Sequence, residues 1–296
     1  MNMWLVGAGY WGSKIMTSLK KFDVDAQVID IKNGQSIDDI TTKDPVILAT
    51  PLWEHFGQAM ELLSRGHDVY VEKPAAETLP ELAKMSVMVQ DNQLLMVGHL
   101  FIHHPQMEQI KNMLQSGVIG NIQHITSRRL NWGIYQTKTS PTLSLATHDI
   151  SIVLELLGND CKVKQAQAWN YTRNPKQYDR VAFSGTCGNA TFDIDVSWAW
   201  PVRTRQTVII GTRGQIIWDQ DANTLIQVGN GVWENRAIEG HSVVRKYESE
   251  LSPLEHELYH WVSCVRDRKQ PITGIKQAYS VAVVIDQVDT VLQNSL

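Results

Sequence analysis

The sequence predicts an α/β protein of two domains. A parallel-sheet domain is expected over residues 1–118, and an α/β domain with a large, open, mixed but mostly antiparallel sheet over residues 119–296. Strand and helix patterns alternate through the first hundred residues, which is typical of β-α-β units. Period-2 runs of apolar residues replace them after Gly117 and Gly120. A chain of 296 residues can give each domain its own core.

A glycine-rich loop follows the first predicted strand, Met3 to Val6. Gly7, Gly9 and Gly12 form a G-x-G-x-x-G pattern. The first glycine permits a tight turn, the second lets backbone approach a pyrophosphate, and the third allows close packing of strand and helix. Apolar residues recur at helical spacing after Gly12, so a helix N-terminus would face the phosphate. The loop predicts a Rossmann domain that binds a dinucleotide; the alternative is an ordinary glycine-rich turn.

The second predicted strand is followed by an aspartate, Asp30, and by a short connecting segment. Asp30 ends the second predicted strand, Ala26 to Ile29, at the spacing where a carboxylate meets the adenosine ribose hydroxyls. It favours NAD over NADP, although Lys32 could offset this; alternatively it is a solvated loop residue. Only residues 31–45 separate Asp30 from the strand that begins at Val46. Because a complete Rossmann half needs a helix, a strand and a further crossover there, we expect the outer strand to be reduced or missing.

The remaining elements of the first domain are predicted in chain order. They are a strand at Val46–Ala49, a helix at Glu54–Arg65 that ends before Gly66, a strand at Asp68–Val71, a helix begun by the Thr78/Glu81 capping box, a strand at Leu94–Val97 and a helix at His104–Gln115. In the second domain a hairpin is predicted from Gln206 to Asp219, and helices at Leu254–Arg266 and Ile275–Gln293.

The clearest strand of the second domain runs from Thr191 to Trp200. Its apolar residues alternate with polar ones, which predicts an antiparallel strand with one buried face. The apolar face carries Phe192, Ile194, Val196, Trp198 and Trp200. We expect helices of the same chain to cover that face, and the face with Asp193 and Asp195 to contact a second subunit.

Composition narrows the class of partner. The net charge is −4 and no Lys/Arg cluster occurs, so neither nucleic acid nor a membrane surface is favoured and a small molecule is expected. Three cysteines, Cys161, Cys187 and Cys264, include no C-x-x-C pair, which argues against a disulfide framework and fits a reducing cytoplasm. The first strand begins by Met3 and no apolar run approaches membrane-spanning length, so we expect neither signal peptide nor membrane span.

Two side chains are candidates for chemistry. Lys73 follows a strand at the carboxyl edge of the predicted sheet, where it could hydrogen-bond a reacting hydroxyl and stabilise an alkoxide. The alternative is a solvated loop lysine. His148 lies in a helical segment on its buried face, where it could carry a proton or be an ordinary core histidine. No metal site is predicted from the histidines at 99, 103 and 104, which lack a ligand spacing.

The order of these motifs resembles the Gfo/Idh/MocA family, named for glucose-fructose oxidoreductase, inositol 2-dehydrogenase and a rhizopine catabolism protein. The resemblance covers most of the chain and rests on Gly7-Ala8-Gly9-Tyr10-Trp11-Gly12, Ala49-Thr50-Pro51 with His55, Val71-Glu72-Lys73-Pro74, Val97-Gly98-His99 and Leu145-Ala146-Thr147-His148-Asp149. It implies a Rossmann domain, a C-terminal α/β domain with a large open sheet, and NAD(P)-dependent chemistry on a sugar-like secondary alcohol. It also implies a homo-oligomer, a dimer or tetramer.

Site residues follow from this resemblance position by position. Lys73 matches the catalytic lysine and His148 the catalytic histidine. The residues that match cofactor contacts are Gly7, Gly9, Tyr10, Trp11, Gly12, Asp30, Thr50, Pro51, His55 and Glu72. Arg129 and Asn131 lie in a segment most similar to members acting on nucleotide-linked sugars and are expected to contact substrate. Many members carry Asp where this chain has Ser144.

The sequence therefore predicts a cytoplasmic dehydrogenase of a sugar or nucleotide-sugar that uses NAD, with NADP not excluded. Lys73 would polarise the substrate oxygen and His148 would exchange its proton. One alternative is a reductase of a non-sugar substrate on the same fold. The other is a catalytically silent NAD-binding regulatory protein, which Ser144 favours because serine cannot supply the charge of a carboxylate.

Overall fold

The computed structural model describes residues 1–133, 135–136, 138–173, 178–229, 232–234, 237–239, 242–246 and 249–294. The chain divides into two compact units. The first comprises Met1–His104 and Glu250–Ala282, and the second Pro105–Ser249 and Val283–Leu296. The first unit is discontinuous in sequence, because residues Glu250–Ala282 belong to it. A single domain boundary at residue 118 would instead give two continuous domains.

Helices and strands lie close to the predicted positions. The helices are α1 (Tyr10–Leu19), α2 (Leu52–Ser64), α3 (Leu79–Met88), α4 (Pro105–Gln115), α5 (Thr147–Leu157), α6 (Pro253–Asp267) and α7 (Ile275–Gln293). The strands are β1 (Asn2–Val6), β2 (Asp25–Ile29), β3 (Val46–Leu48), β4 (Val69–Glu72), β5 (Leu95–Gly98), β6 (Ile122–Trp132), β7 (Cys161–Trp169), β8 (Arg180–Cys187), β9 (Ala190–Ser197), β10 (Ala199–Gly211), β11 (Gly214–Asp219), β12 (Thr224–Gly229), β13 (Val232–Glu234), β14 (Ala237–Glu239) and β15 (Ser242–Lys246).

The first unit is built on a parallel sheet in the order β2-β1-β3-β4-β5. Successive residues of β1 point to opposite faces. Met3 and Leu5 join a core with α1 and α6, whereas Trp4 and Val6 join a core with α2 and α3. Helices therefore cover both faces, as the predicted Rossmann fold requires.

The outer strand is missing, as predicted. The residues between Asp30 and Val46 form two short 3₁₀ turns, Ile31–Asn33 and Ile37–Asp39, and all of them are described. Consequently β2 is one of the two edge strands of the sheet. The connection holds one crossover, which is what its length allows.

The second unit contains an eight-stranded sheet in the order β15-β12-β11-β10-β6-β9-β8-β7. Neighbouring strands are antiparallel except β6 and β9, which are parallel, so the sheet is mixed as predicted. The predicted hairpin is confirmed, because β10 and β11 pair from Gln206 with Asp219 to Ile210 with Gln215.

The predicted strand from Thr191 to Trp200 is wrong at its end. The backbone bends at Trp198, whose N–H donates to the Asp179 carbonyl at 2.9 Å, and the N–H of Ala199 donates to Ser197 Oγ at 3.0 Å. β10 begins at once, so Trp200 belongs to a different strand. The antiparallel expectation holds on the β8 side only, because β9 runs parallel to β6.

Helices of the same chain cover the apolar face of β9, as predicted. Phe192, Ile194 and Val196 are buried, and α5 packs on β6 and β9. On the neighbouring part of the sheet, Trp218 Nε1 donates to Gln106 Oε1 of α4 at 2.7 Å. The sheet therefore has one face closed by its own helices.

Near β9, the opposite face of the sheet carries polar, half-exposed side chains. Asp193 accepts a hydrogen bond from Thr126 and is paired with His124, and Asp195 holds Arg180 at 2.9 and 2.7 Å. A contact between subunits on this face remains a prediction.

The cysteine expectation is wrong for one pair. Cys161 and Cys187 form a disulfide between β7 and β8, while Cys264 is a buried free thiol. The two paired cysteines lie directly opposite each other in the register of the antiparallel strands, 26 residues apart in sequence. The spacing of the cysteines along the chain did not predict this pairing. It forms because β7 and β8 are neighbours in the sheet. Among the described residues, no helix is long and apolar enough to cross a bilayer.

Candidate active site

The glycine loop has the tight geometry that its motif predicts. Gly7 has φ +98°, and a Cβ there would lie 2.7 Å from the Ala49 carbonyl oxygen. A Cβ on Gly12 would lie 1.9 Å from the Gly7 oxygen. Gly9, which caps α1 without a side-chain bond, differs: a Cβ on Gly9 would have no described heavy atom within 4 Å, apart from those of its chain neighbours. The loop thus presents backbone and open space at a helix N-terminus, the arrangement that accepts a phosphate.

Asp30 lies beside this loop, at the carboxyl end of β2. The N–H of Gly7 donates to the Ile29 carbonyl at 2.9 Å, which ties the two strand ends together. The Asp30 side chain caps the following 3₁₀ turn, because its Oδ1 accepts the backbone N–H of Lys32 at 3.0 Å. Asp30, which is predicted to bind the ribose hydroxyls, therefore lies at the predicted edge of the sheet and is half-exposed.

His55 links two loops of the first unit. Its Nε2 lies 2.7 Å from the Thr50 carbonyl oxygen and its Nδ1 lies 2.7 Å from the Pro74 carbonyl oxygen. Pro51 caps α2, and Thr50 Oγ1 donates to Gln58 at 2.7 Å. Burial lowers the pKa of His55, although its two carbonyl partners oppose that shift. The predicted Thr50, Pro51 and His55 thus come together with the loop that carries Lys73.

Glu72 joins the glycine loop to the same lysine loop. Trp11 Nε1 donates to Glu72 Oε1 at 2.6 Å, and the Tyr70 hydroxyl donates to the same oxygen at 3.0 Å. Burial raises the pKa of Glu72, opposed by the Trp11 bond, the charge of Lys73 and the Tyr70 bond. Tyr10 is exposed at the surface. Tyr70 belongs to none of the motifs predicted from the sequence; it shares a face of β4 with Glu72, as every second residue of a strand does.

Lys73 follows β4 directly and is half-buried; its bond to Pro74 is cis. Its charge acts on four groups of the first unit, Glu72, Glu257, His55 and His99. His99 is 2% exposed, and neither of its ring nitrogens has a hydrogen-bond partner among the described residues. Burial first, and then the charge of Lys73, lower the pKa of His99 to about 3. His99 is accordingly neutral at physiological pH.

In the second unit, His148 lies in the first turn of α5 and is half-buried. The preceding residues, Thr142–Ala146, form a π-helical turn where the sequence pattern predicted an α-helix. Ser144 is buried in this turn. A π turn is wider than an α turn and is frequent at functional sites. Apolar spacing did not reveal it because one wide turn changes the pattern by a single residue.

Asp149, next to His148, is fixed by a buried ion pair. Arg129 Nε donates to Asp149 Oδ2 at 2.8 Å, and Arg129 Nη2 donates to Oδ1 at 3.0 Å. Ser127 Oγ also donates to Oδ1, at 2.7 Å, and Arg129 Nη2 reaches Gln220 Oε1 at 3.0 Å. Arg129 is 2% exposed and Asp149 is fully buried. Sequence reasoning placed Arg129 as a substrate contact and missed this pairing.

Asn131 lies near the end of β6 and is half-buried. Its Oδ1 is buried and has no hydrogen-bond partner among the described residues. His103, one of the histidines considered for a metal, instead lies 3.0 Å from Thr273 Oγ1 through its Nε2. Within the described ranges, no three His, Cys, Asp or Glu side chains are grouped as a metal site.

Two family models match this chain. One, described as an oxidoreductase family with an NAD-binding Rossmann fold, matches residues 17–99. The other, the GFO/IDH/MocA C-terminal domain, matches residues 107–217. The chain belongs to the Gfo/Idh/MocA oxidoreductase family. The resemblance predicted from the motifs is confirmed, and so is the fold.

Similar proteins agree with this assignment. A 2,7-anhydro-N-acetylneuraminate hydratase of Mediterraneibacter gnavus is 27% identical over 47% of this chain and 41% of its own length. The structure of UDP-N-acetylglucosamine 3-dehydrogenase from Acidithiobacillus ferrooxidans has a TM-score of 0.86 at 18% identity, covering 99% of this chain and 98% of that one. A 3-ketoreductase of Actinomadura kijaniata, solved with TDP-benzene and NADP, gives 0.84 at 16% identity over 99% and 98%.

The curated relatives and the solved structures differ in how much of their length this chain covers. The chain spans about two fifths, 41% to 42%, of the length of two curated relatives that it matches. The solved structures share its fold along almost the whole chain.

Proposed function

We propose that this protein is an NAD-dependent dehydrogenase or reductase of a sugar or nucleotide-linked sugar. One observation carries the proposal: hydrogen bonds join the glycine loop, the turn after β3 and the Lys73 loop into one network. Trp11 reaches Glu72 at 2.6 Å, and His55 reaches both Thr50 and Pro74 at 2.7 Å. A lysine held at the carboxyl edge of a parallel sheet, beside a dinucleotide loop, is placed to act on a substrate oxygen.

The first unit fits a dinucleotide. The open space at Gly9 and the start of α1 would receive the pyrophosphate, and Asp30 would accept bonds from the ribose hydroxyls. Nicotinamide, when bound, supplies the hydride acceptor or donor at its C4 position. Because the outer strand is missing, we expect the adenine end to be more exposed than in a complete Rossmann domain, and affinity to depend strongly on the pyrophosphate.

The residues of this chain would act on the substrate as follows. The Lys73 ammonium donates a hydrogen bond to the reacting oxygen and stabilises negative charge on it, and His148 accepts or returns the hydroxyl proton. Asn131, whose buried Oδ1 has no partner among the described residues, is offered as a substrate contact. We assign Arg129 a positioning role, because its guanidinium is bonded to Asp149 and Gln220.

A substrate panel tests the proposal. Purified protein is mixed with NAD or NADP and with free sugars, nucleotide-linked sugars and non-sugar alcohols, and reduced nicotinamide is followed by absorbance. We expect turnover with a sugar-type alcohol, and tighter binding of NAD than of NADP because the Asp30 carboxylate repels a 2′-phosphate. Turnover of non-sugar alcohols alone would replace the substrate assignment. Cofactor binding without any turnover would instead favour a silent regulatory protein, and tighter NADPH binding would reverse the cofactor assignment.

We also propose a homo-oligomer that forms through the face of the large sheet that carries Asp193 and Asp195, and a cytoplasmic location. The half-exposed side chains of Asp193 and Asp195, which contact His124 and Arg180, suit a polar contact between subunits. Light scattering of the purified protein should give a dimer or tetramer, and a strict monomer would contradict this. Cell fractionation tests the location. The test matters because the Cys161–Cys187 disulfide is of a kind that is rare in cytoplasmic proteins.

A further inference from the structure

A buried pair of acids flanks Tyr70 beneath the lysine loop. Glu72 comes from β4, and Glu257 comes from α6, 185 residues later. Tyr70 is fully buried and Glu257 is 1% exposed. The Tyr70 hydroxyl lies 3.0 Å from Glu72 Oε1 and is also in hydrogen-bonding contact with the Glu257 side chain. One phenol therefore connects two carboxyl groups in the core of the first unit.

Counting protons shows that the two carboxyl groups differ. A phenol carries a single hydrogen, and an ionised carboxylate can only accept. Tyr70 gives its hydrogen to Glu72, so its oxygen faces Glu257 with lone pairs. If Glu257 were ionised, two acceptors would meet without a proton between them, which is costly where water is excluded. A protonated Glu257 can donate to the Tyr70 oxygen.

The surroundings of each acid assign the proton. Glu72 accepts from Trp11, from Tyr70 and from the backbone N–H of Lys73, and it also feels the charge of Lys73. These donors stabilise a carboxylate and oppose burial, which raises the pKa of Glu72 above its ordinary value. Glu257 Oε1 is buried and has no partner among the described residues. Burial, and then repulsion from Glu72, raise the pKa of Glu257 well above its ordinary value.

Apart from Lys73, the described groups packed near this pair add no positive charge. His99 beyond β5 is neutral because its pKa is lowered to about 3. The Trp261 ring, one helical turn after Glu257, lies 6.1 Å from the Tyr70 ring, and its Nε1 has no partner among the described residues. Lys73 is the cation whose charge reaches both Glu72 and Glu257.

We propose that Glu257 is a positioning residue held as a neutral carboxylic acid, which donates to Tyr70 so that Tyr70 holds the Glu72 carboxylate beside Lys73. The relay runs from Glu257 through Tyr70 to Glu72. With Glu257 neutral, Lys73 lies near one negative charge, that of Glu72, although two glutamates are present. The catalytic meaning of this charge rests on the function proposed above, but the protonation of Glu257 does not.

Infrared spectroscopy of the protein without substrate tests the protonation directly. At neutral pH, protein labelled with ¹³C-glutamate should show a carbonyl band of a protonated acid that disappears in Glu257→Gln. The exposed Glu250 provides the matched control, and Glu250→Gln should keep the band. A band that persists unchanged in Glu257→Gln, or no protonated-acid band at all, would overturn the proposal. This arm works whether or not a substrate is found.

Thermal unfolding against pH gives a second readout. A neutral acid in the folded state must ionise in the unfolded chain once pH exceeds its ordinary pKa, so rising pH destabilises the folded protein. Glu257→Gln cannot ionise, and its melting temperature should gain on wild type as pH rises above about 4.3, the ordinary pKa of glutamate. A melting temperature that instead falls behind wild type with rising pH would mean that Glu257 is an ionised, stabilising carboxylate.

The catalytic arm separates positioning from a purely structural role. Glu257→Leu removes the donor to Tyr70 and should lower kcat by about tenfold, the scale of one lost hydrogen bond, with KM little changed. Glu257→Gln restores a neutral donor and should recover most of that loss. Equal losses in the two variants would contradict the relay. If no substrate is found for wild type, the proposed function fails while the infrared result still decides the protonation.

Discussion

The two candidate catalytic side chains each have a buried acid as a neighbour in the chain, and the two acids are held differently. Asp149 follows His148 and is paired with the Arg129 guanidinium at 2.8 and 3.0 Å. Glu72 precedes Lys73 and is bonded instead by the uncharged groups of Trp11 and Tyr70. A buried carboxylate must be stabilised in either case, since leaving water is costly. In the second unit the acid is hydrogen-bonded by an opposite charge, whereas in the first unit it is hydrogen-bonded by neutral side chains and the charge of Lys73 acts on it besides.

The difference indicates what each acid does. A bidentate ion pair cancels the charge of Asp149, so this acid fixes the start of α5 and exerts little field on its surroundings. Neutral donors leave the charge of Glu72 uncancelled, and it acts on Lys73. We therefore expect changes at Asp149 to affect stability first, and changes around Lys73 to affect turnover first.

The largest effect should come from the two catalytic candidates. Lys73→Ala and His148→Ala should each lower kcat by roughly a hundredfold to ten-thousandfold, the usual contribution of acid–base groups. Cofactor affinity, measured by titration, should change little. Because both groups would act on one transition state, the double variant should lose less than the product of the single losses. Near-normal turnover in His148→Ala would mean that His148 is a core histidine.

Breaking the ion pair should be the next largest change. Asp149→Asn leaves the Arg129 guanidinium buried without its counter-charge, which costs about 3 to 5 kcal/mol of folding free energy. Denaturant unfolding measures this loss. The exposed Arg203–Asp221 pair of the same unit is the control, and Asp221→Asn should cost less than about 1 kcal/mol. Similar losses in both variants would remove the contrast between Asp149 and an ordinary surface pair.

Glycine replacement within the first unit should show whether the glycine loop binds the cofactor. Gly9→Ala places a methyl group in the open space of the loop and should weaken NAD binding by about tenfold or more, because each lost 1.4 kcal/mol of pyrophosphate contact is a factor of ten. Gly57→Ala is the matched control, since its position in α2 is exposed and has no described contact within 4 Å. Unchanged affinity in Gly9→Ala would place the pyrophosphate elsewhere.

The smallest effect tests the comparison most directly. Ser144→Asp would place an acid near His148, as Glu72 already lies beside Lys73. Negative charge favours the protonated imidazole, so the acid limb of the pH–rate profile should move to higher pH, by about one unit. Kinetics from acid to neutral pH measure the shift, with Ser144→Asn as an uncharged control. A shift of equal size in Ser144→Asn would exclude a charge effect.

Local features of this chain could be predicted because their causes lie within a few residues. Glycine spacing, capping boxes and apolar periodicity gave the elements of the first unit, and the length of residues 31–45 gave the missing strand. The candidate residues of the glycine loop, the His55 turn and the lysine loop came from the motifs, and within the first unit the structure connects Trp11, Thr50, His55 and Glu72.

Other features were decided by the tertiary structure. Arg129 and Asp149 lie on different elements, and Glu257 meets Tyr70 only because α6 returns to the first unit. The Cys161–Cys187 disulfide and the parallel pairing of β9 with β6 likewise depend on which strands become neighbours. By itself the sequence determined which elements form in the first unit and their approximate positions, because hydrogen bonds and side-chain contacts within an element are local. Charge partners and shared protons were decided by the fold, because burial brings together residues that no spacing along the chain relates.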